Sequence, residues 1–149
     1  MLLNTSYEII INGIEAAIVA QLLKFIGHIL KTGKIDFQVL ATTGGMPSAH
    51  TAGVVALSAT VGFICGFDSV EFAIAIGYAL VVMYDAAGLR RSTGKIAACL
   101  NKIRDDFYAH GQMPAERLKE LLGHTPFEVF VGALLGVYIA FINHFYLFQ

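Results

Sequence analysis

The hydrophobic residues of the chain fall into four long runs, which shorter polar segments separate. The runs cover residues 7–30, 47–67, 71–88 and 126–148. A membrane-spanning helix needs about 20 mostly apolar residues, with a range of about 17–25. The pattern therefore predicts an all-α integral membrane protein, with one domain over residues 1–149, four spanning helices and a cytoplasmic loop at residues 89–125.

The first run carries two groups of polar side chains on different faces of the predicted helix. At 100° per residue, Glu8, Asn12 and Glu15 share one face of its first half. The opposite face of the second half carries Gln21, Lys24, His28 and Lys31. A charge that faces lipid is costly, so each group should face protein, water or headgroups. Lys24 and Lys31 have an alternative role as anchors that extend to the membrane interface.

Residues 89–125 are predicted to hold helices that do not span the membrane. Apolar residues repeat there at helical spacing, at Ile96, Leu100, Ile103 and Phe107. Charged residues surround them, which indicates an amphipathic helix on the membrane surface. A second short helix is predicted to follow, with Pro114 near its first turn and Gly123 just past its end.

The composition supports a membrane protein and excludes other classes. The 149 residues are 56% hydrophobic and only 14% charged, and the mean hydropathy is +0.67. Soluble domains average roughly 25% charged residues. A net charge of −1 argues against a nucleic-acid partner, because nucleic-acid binding needs a basic surface. Cys65 and Cys99 have no metal-ligand spacing, and we expect neither a metal nor a cofactor.

The basic residues predict the orientation in the membrane. All ten lysines and arginines lie within residues 24–34, 90–104 and 117–119. With four spans, these segments belong to the same side of the membrane, and the positive-inside rule makes that side cytoplasmic. Both termini are then predicted on the non-cytoplasmic side of a bacterial plasma membrane or an organelle membrane.

Two pairs of glycines indicate where helices approach each other closely. Gly62 and Gly66, and Gly132 and Gly136, have the spacing of small residues at helix–helix contacts. Contacts within the bundle are the main expectation, and contacts between copies of the chain are the alternative. A homo-oligomer is therefore a candidate partner, besides the bilayer itself.

Four polar clusters lie at the predicted cytoplasmic ends of the helices. They are Lys24 with Lys34, residues 44–50, residues 85–91 and residues 124–128. Residues that are far apart in the sequence therefore share one membrane level, which predicts a functional site at that level.

The cluster at residues 44–50 has the composition of an anion site at the start of a helix. Gly44 and Gly45 permit a tight turn, and Pro47 suits the first helical position. Helix N-termini attract anions, so the Ser48 hydroxyl and the His50 imidazole could hold and protonate a phosphate ester there. The alternative is an ordinary helix start, with His50 bonded to a loop carbonyl.

The cluster at residues 85–91 supplies cations and a carboxylate. Arginine binds phosphate with two parallel hydrogen bonds. Adjacent helix positions point to different faces, so one of Arg90 and Arg91 is predicted to face the site while the other anchors the helix at the headgroups. Asp85 lies one turn earlier and could pair with either arginine or orient a histidine.

The cluster at residues 124–128 offers a nucleophile beside a carboxylate. Thr125 and Glu128 match a capping box, with Pro126 at the first helical position. That match explains Glu128 structurally. In the functional interpretation His124 is the nucleophile, and a carboxylate, Glu128 or Asp85, orients its imidazole.

Three segments together resemble the divergent branch of the type 2 phosphatidic acid phosphatase superfamily, which also includes bacterial acid phosphatases and vanadium haloperoxidases. The segments are GGMPSAH at residues 44–50, YDAAGLRR at residues 84–91 and LLGHTPFEV at residues 121–129. The resemblance covers nearly the whole chain, from residue 21 to about residue 136. It implies a metal-independent phosphatase that acts through a phosphohistidine.

The resemblance assigns roles to individual residues. The superfamily's second motif is Pro-Ser-Gly-His, whose histidine protonates the leaving group, and residues 47–50 match it with Ala49 in place of glycine. Its third motif ends in a histidine nucleophile followed four residues later by an aspartate. His124 and Glu128 match that ending with glutamate in place of aspartate.

The chain departs from the superfamily pattern in its basic residues. Lys24 is the candidate for the lysine of the first motif, and Lys34 or Lys31 for the arginine that follows it. No Ser-Arg precedes His124 at the expected distance, since Leu118 holds the arginine position. Arg90 or Arg91 could replace that arginine.

The resemblance implies hydrolysis of a lipid phosphate monoester at the cytoplasmic interface, with phosphatidylglycerophosphate or phosphatidic acid as candidate substrates. His124 would attack phosphorus and His50 would protonate the departing alkoxide. The phosphate oxygens would be stabilised by Lys24, Lys34, Ser48 and Arg90 or Arg91. The alternative is a non-catalytic membrane protein that uses the same cationic pocket to bind an anionic lipid headgroup or a protein partner.

Overall fold

The computed structural model describes residues 6–41, 44–108 and 123–147, without the side chains of residues 41, 89–91 and 106–108. Its α-helices are α1 (Ser6–Thr32), α2 (Ala49–Cys65), α3 (Val70–Tyr84), α4 (Arg90–Tyr108) and α5 (Pro126–Ile142). A 3-10 segment and two π-helical turns complete the elements, at Phe37–Ala41, Asp85–Leu89 and Asn143–Leu147. No strand occurs in these described ranges, and the predicted all-α class is confirmed.

Three helical stretches are long and apolar enough to cross a membrane. They are Ser6–Thr32, Val70–Asp105 and Pro126–Leu147. The fourth predicted span corresponds to α2, whose 17 residues extend about 26 Å, slightly less than the roughly 30 Å of bilayer hydrocarbon. The four hydrophobic runs therefore coincide with α1, α2, α3 and α5, and the chain is an integral membrane protein.

The outer surface of the bundle is apolar, as contact with lipid requires. Exposed large hydrophobic side chains occur along α1, α3 and α5, among them Ile14, Ile18, Ile74, Val81 and Phe130. In water, a continuous surface of this kind would bind a partner or aggregate. In a bilayer, lipid tails cover it.

The predicted amphipathic helix is present as α4, but no loop precedes it. α3, the π-helical turn and α4 follow one another in a single helical stretch, so the helix continues across residue 89, where the predicted cytoplasmic segment begins. One glycine costs a helix only about 1 kcal/mol, so Gly88 does not end it. The second short helix predicted around Pro114 falls in residues 109–122, outside the described residues.

Helix α2 is the centre of the bundle because it contacts α1, α3 and α5. The core between these helices consists mainly of small side chains: Ala16, Ala20, Ala52, Ala56, Ile139 and Ala140. Gly132 brings the α5 backbone against α2, since a Cβ atom there would be 2.6 Å from the Ser48 carbonyl oxygen. Gly136 makes a similar close approach to Ala52. The helix–helix contact predicted at Gly132 and Gly136 is therefore confirmed, and it lies within the bundle. In the other predicted pair, Gly66 is the residue at which α2 ends, with a φ of 95°.

Each polar group of α1 has members that face protein and members that are exposed, and Glu15 is exposed in the first group. Glu8 and Asn12 are fully buried, and Lys24 is only 7% exposed. Lys31, the last lysine of the helix, is exposed, in agreement with the interfacial role. The two groups lie at different depths, because Asn12 and Lys24 are twelve residues or about 18 Å apart along α1. The bundle therefore has one buried polar region towards each end.

Candidate functional site

The candidate site begins at the N-terminus of α5, where the predicted capping box is present. Thr125 is the N-cap, and its hydroxyl accepts the Glu128 N–H at 3.3 Å. In return, Glu128 Oε2 accepts the Thr125 N–H at 3.0 Å. Pro126 occupies the first helical position, where no backbone donor is needed. These contacts fix the Glu128 carboxylate at the start of the helix.

The same carboxylate oxygen also holds His124. Nδ1 of the imidazole lies 3.2 Å from Glu128 Oε2. The His124 side chain is only 2% exposed, and its backbone N–H donates to the Ala86 carbonyl at 3.1 Å. The structural interpretation of Glu128 is therefore confirmed, and the same oxygen atom of its carboxylate also contacts the imidazole.

The surroundings of His124 favour its neutral form. Burial lowers the pKa of the imidazole below its ordinary value of 6.5. The positive charge of Lys24 also lowers this pKa. The hydrogen bonds to Glu128 and to the Gly45 backbone raise the pKa, but each by less than burial lowers it. If the neutral imidazole keeps its proton on Nδ1, towards the carboxylate, its free electron pair is on Nε2, which is the form that a nucleophile needs.

Lys24 extends from α1 into the same place. Its ammonium group donates to Gln21 Oε1 at 3.0 Å, and its charge interacts with that of Glu128. The lysine stem packs on Gly45, where a Cβ atom would be 3.5 Å from Lys24 Cγ and Cδ. Gly45 has a φ of 81°, which side chains other than glycine rarely adopt. The glycine therefore supplies both the turn and the space that the lysine occupies.

Ser48 joins α2 to the start of α5. Its backbone N–H donates to the Glu128 carbonyl at 3.2 Å. Its hydroxyl is fully buried and accepts from the Thr51 N–H at 3.4 Å and from the Thr51 hydroxyl at 3.0 Å. Ser48 is thus the N-cap of α2, and the prediction that Pro47 opens this helix is wrong. The helix begins at Ala49 because the serine hydroxyl caps it there.

The remaining predicted site residues lie on other segments at the same end of the bundle. His50 is exposed in the first turn of α2, and Lys34 is exposed in the loop after α1. Asp85 is half-buried at the start of the π-helical turn, one residue before the Ala86 carbonyl that binds His124. The side chains of Arg90 and Arg91 fall outside the described residues. The structure brings together Lys24, Ser48, His124 and Glu128.

Sequence reasoning did not assign Gln21 to the site. Its amide oxygen accepts from Lys24, while its Nε2 donates to the carbonyls of Val39 at 3.2 Å and Leu40 at 2.6 Å. Gln21 therefore ties the 3-10 segment to α1 and holds the lysine. The available signal was its position three residues before Lys24 on the same helix face. Backbone contacts at Gly45 and Ala86 leave no such signal.

The site is built from side chains that suit an anion rather than a metal. Within the described parts of the chain, no group of three or more histidine, cysteine, aspartate or glutamate side chains could hold a metal ion. A lysine, a serine hydroxyl and an imidazole are donors that bind phosphate oxygens. The residue types gathered here therefore suit an anion.

Comparisons with known proteins agree with the resemblance in the sequence. The profile of a family described as the Divergent PAP2 family matches residues 5–139. The chain is also 37% identical over 144 residues to "Uncharacterized membrane protein YuiD" of Bacillus subtilis (strain 168), which covers 89% of this chain and 91% of that protein. No solved structure is significantly similar.

Proposed function

The chain belongs to the divergent PAP2 family, and from that premise we propose that it is a membrane phosphatase that hydrolyses a lipid phosphate monoester through a phosphohistidine. One observation carries the proposal: the buried imidazole of His124 lies 3.2 Å from the Glu128 carboxylate and within the electrostatic influence of Lys24. A nucleophile, an orienting carboxylate and a cation for the phosphate are the minimum set for this chemistry.

In the first chemical step, Nε2 of His124 forms a bond to phosphorus while the ester P–O bond breaks. Glu128 retains the proton on Nδ1, so the electron pair on Nε2 is the one that attacks. The departing alkoxide needs a proton, which His50 supplies from the first turn of α2. The hydrogen bond between His124 and the Gly45 backbone has to open if it occupies the attacking nitrogen.

In the second step, water attacks the phosphohistidine and releases inorganic phosphate. The N–P bond breaks, His124 regains its free electron pair, and His50 accepts the proton of the attacking water. Hydrolysis of phosphate monoesters is among the slowest uncatalysed reactions, so the phosphate oxygens need strong electrostatic stabilisation. Lys24 and the Ser48 hydroxyl supply donors, and Arg90 or Arg91 contributes a further cation.

The substrate class follows from where the site lies in the bundle. Lys24 and His124 lie at the end of the helices where the sequence concentrates its basic residues, which the positive-inside rule assigns to the cytoplasm. A lipid of the inner leaflet could reach this end sideways between helices. We therefore propose a lipid phosphate monoester of that leaflet, such as phosphatidylglycerophosphate or phosphatidic acid.

One departure from the superfamily pattern favours a second candidate function. No Ser-Arg precedes His124 at the usual distance, so part of the expected phosphate site has no counterpart there. In the second candidate the cationic pocket binds an anionic lipid headgroup without hydrolysing it. The two functions differ in whether inorganic phosphate is released.

Phosphate release from a panel of lipid phosphates by the purified protein in detergent micelles tests the proposal. His124→Ala and His50→Ala should each reduce release to background, since one removes the nucleophile and the other the proton donor. The matched control is His28→Ala on α1, which should retain most of the activity. Near-full activity in His124→Ala would exclude the histidine mechanism. Binding of anionic lipid without any turnover by the intact protein would support the second candidate.

A comparison of Arg90→Ala with Arg91→Ala tests the proposed phosphate contacts separately. Adjacent positions on a helix point about 100° apart, so only one of the two side chains can face the pocket. One variant should therefore lose much more activity than the other. Equal and small losses in both would remove the arginine from the proposed site and leave Lys24 as its cation.

A further inference from the structure

A second polar cluster, buried except at Glu15 and His144, lies towards the opposite end of the bundle from His124. It is formed by α1, α2 and the π-helical turn after α5, and we call it the Glu8 cluster. Its members are Glu8, Asn12, Glu15, Thr60, Asn143 and His144. Along α1, the distance from Asn12 to Lys24 is about 18 Å. The proposed phosphatase mechanism uses none of these side chains.

Hydrogen bonds among the neutral members fix the cluster. Asn12 Nδ2 donates to Thr60 Oγ1 at 2.9 Å, and the Thr60 hydroxyl donates to the Ala56 carbonyl at 2.8 Å. Asn143 Nδ2 donates to Asn12 Oδ1 at 2.8 Å and to Glu15 Oε2 at 2.6 Å. Both N–H groups of Asn143, one N–H group of Asn12 and the Thr60 hydroxyl thus donate to partners other than Glu8. None of these donors is directed at Glu8.

Glu8 has an acceptor without a partner. The residue is 0% exposed, and its Oε1 lies 2.7 Å from Nδ1 of His144. Its Oε2 is buried and has no hydrogen-bond partner among the residues that the structure describes. The imidazole is held in place because it stacks on Phe63, with 5.3 Å between ring centroids. A buried oxygen that carries part of a negative charge and has no donor is costly.

The cluster also lacks positive charge. Glu8 provides a fully buried carboxylate and Glu15 an exposed one that Asn143 binds, and His144 is the one member that can become a cation. The facing helix α2 contributes only a hydroxyl, and the sequence has no lysine or arginine in residues 1–23, 35–89 or 120–149. Even with His144 protonated, one negative charge is left without a counterion. Ionisable side chains inside a membrane bundle normally mark a site for an ion or a proton.

We propose that the Glu8 cluster binds one small monovalent cation, H⁺ or Na⁺, at the free oxygen of the Glu8 carboxylate. A single positive charge balances the cluster. A proton neutralises the carboxylate directly, whereas Na⁺ would also draw on the neighbouring amide and hydroxyl oxygens. The described residues offer no group of three metal-ligating side chains of the kind that a divalent metal prefers.

Thermal unfolding of the full-length protein in detergent tests the proposal, at constant ionic strength. One arm replaces choline by Na⁺ at pH 8.5, and the other lowers the pH from 8.5 to 6.5 without Na⁺. A ligand at ten times its Kd should raise Tm by roughly 3–6 °C in a chain of this size. A rise in the first arm identifies Na⁺, and a rise in the second identifies H⁺.

Glu8→Gln should abolish the rise, because it removes the charge and keeps the shape of the side chain. The matched control is Glu71→Gln, at an exposed acidic residue in the first turn of α3, which should respond like the wild type. Equal responses in Glu8→Gln and the wild type, or no response in either arm, would overturn the proposal. Should Glu8→Gln fail to fold, the wild type should either bind about one ²²Na⁺ per chain at saturation or show the infrared band of one newly protonated carboxyl group between pH 8.5 and 6.5, and the absence of both signals would overturn the proposal. No readout depends on phosphatase activity, so the two proposals fail separately.

Discussion

Replacing Gly132 with alanine should separate α5 from α2 at the point where both helices support the site. The added Cβ atom would be 2.6 Å from the Ser48 carbonyl oxygen, 3.2 Å from Thr51 Cβ and 3.3 Å from Ser48 Cβ. Ordinary van der Waals contact begins at 3.4 Å, so the closest pair is about 0.8 Å too near. The obstructing atom belongs to the backbone and cannot rotate away. The two helices have to move apart.

The expected cost has two parts. Overpacking of this kind destabilises a folded protein by about 1–3 kcal/mol. The displaced Ser48 also carries the N–H that binds the Glu128 carbonyl, so the shift reaches the carboxylate that orients His124. A misplacement of about 1 Å can cost roughly 10²-fold in rate. We therefore expect Gly132→Ala to insert in the membrane, to unfold several degrees below the wild type and to lose about 10²-fold in phosphate release.

Gly77→Ala is the matched control, because a Cβ atom at Gly77 on α3 would have no heavy atom within 4 Å. The same substitution there should leave activity unchanged and raise stability slightly, since alanine is the better helix former. Thermal unfolding and phosphate release in the same detergent measure both effects. A Gly132→Ala protein with the Tm and the activity of the wild type would refute the packing argument.

Further predictions concern His124 and its surroundings. Glu128→Gln should preserve stability, because glutamine also completes a capping box. It should reduce phosphate release by about 10²–10⁴-fold, because the imidazole loses its carboxylate. A lowered Tm that accounts for the lost activity would contradict this. Because the pKa of His124 is lowered, kcat/KM should fall on the acid side with a midpoint below 6.5, and a midpoint above 6.5 in the pH–rate profile would refute this. The contribution of His124 to stability should also be lost as the pH falls below 6.5, because the unfolded chain binds that proton first. Chelators should leave hydrolysis intact and vanadate should inhibit it, and a loss that Mg²⁺ restores would count against a metal-independent reaction. Labelling of both termini in intact cells should occur from outside, and a C-terminus labelled only after permeabilisation would reverse the predicted orientation.

The fold could be predicted from the sequence because the bilayer imposes a simple requirement on composition. Four hydrophobic runs gave four helices within a few residues of their predicted ends. The surface helix predicted after residue 89 was not expected to join the third hydrophobic run, whereas a π-helical turn connects α3 to α4 in one helical stretch. Propensity is a weak signal wherever a helix can continue at a cost of about 1 kcal/mol.

The candidate site could be predicted in its residue types and less well in its contacts. Thr125 and Glu128 formed the expected capping box because its parts are close in sequence. The hydrogen bonds of Gln21 to Val39 and Leu40, and of His124 to the Ala86 backbone, were not predictable, since they join distant segments through main-chain atoms. A backbone carbonyl is the same for every residue type, so the sequence holds no record of it.

The Glu128 carboxylate has a consequence for the behaviour of the protein on heating. Its Oε2 atom closes the first turn of α5 and orients His124 at the same time. Helix ends open at lower free energy than the whole fold. When the first turn of α5 frays, the imidazole loses its orientation in the same event, while the bundle is still folded. Heat should therefore inactivate the protein reversibly at a temperature below its Tm, and cooling should restore activity without any refolding step.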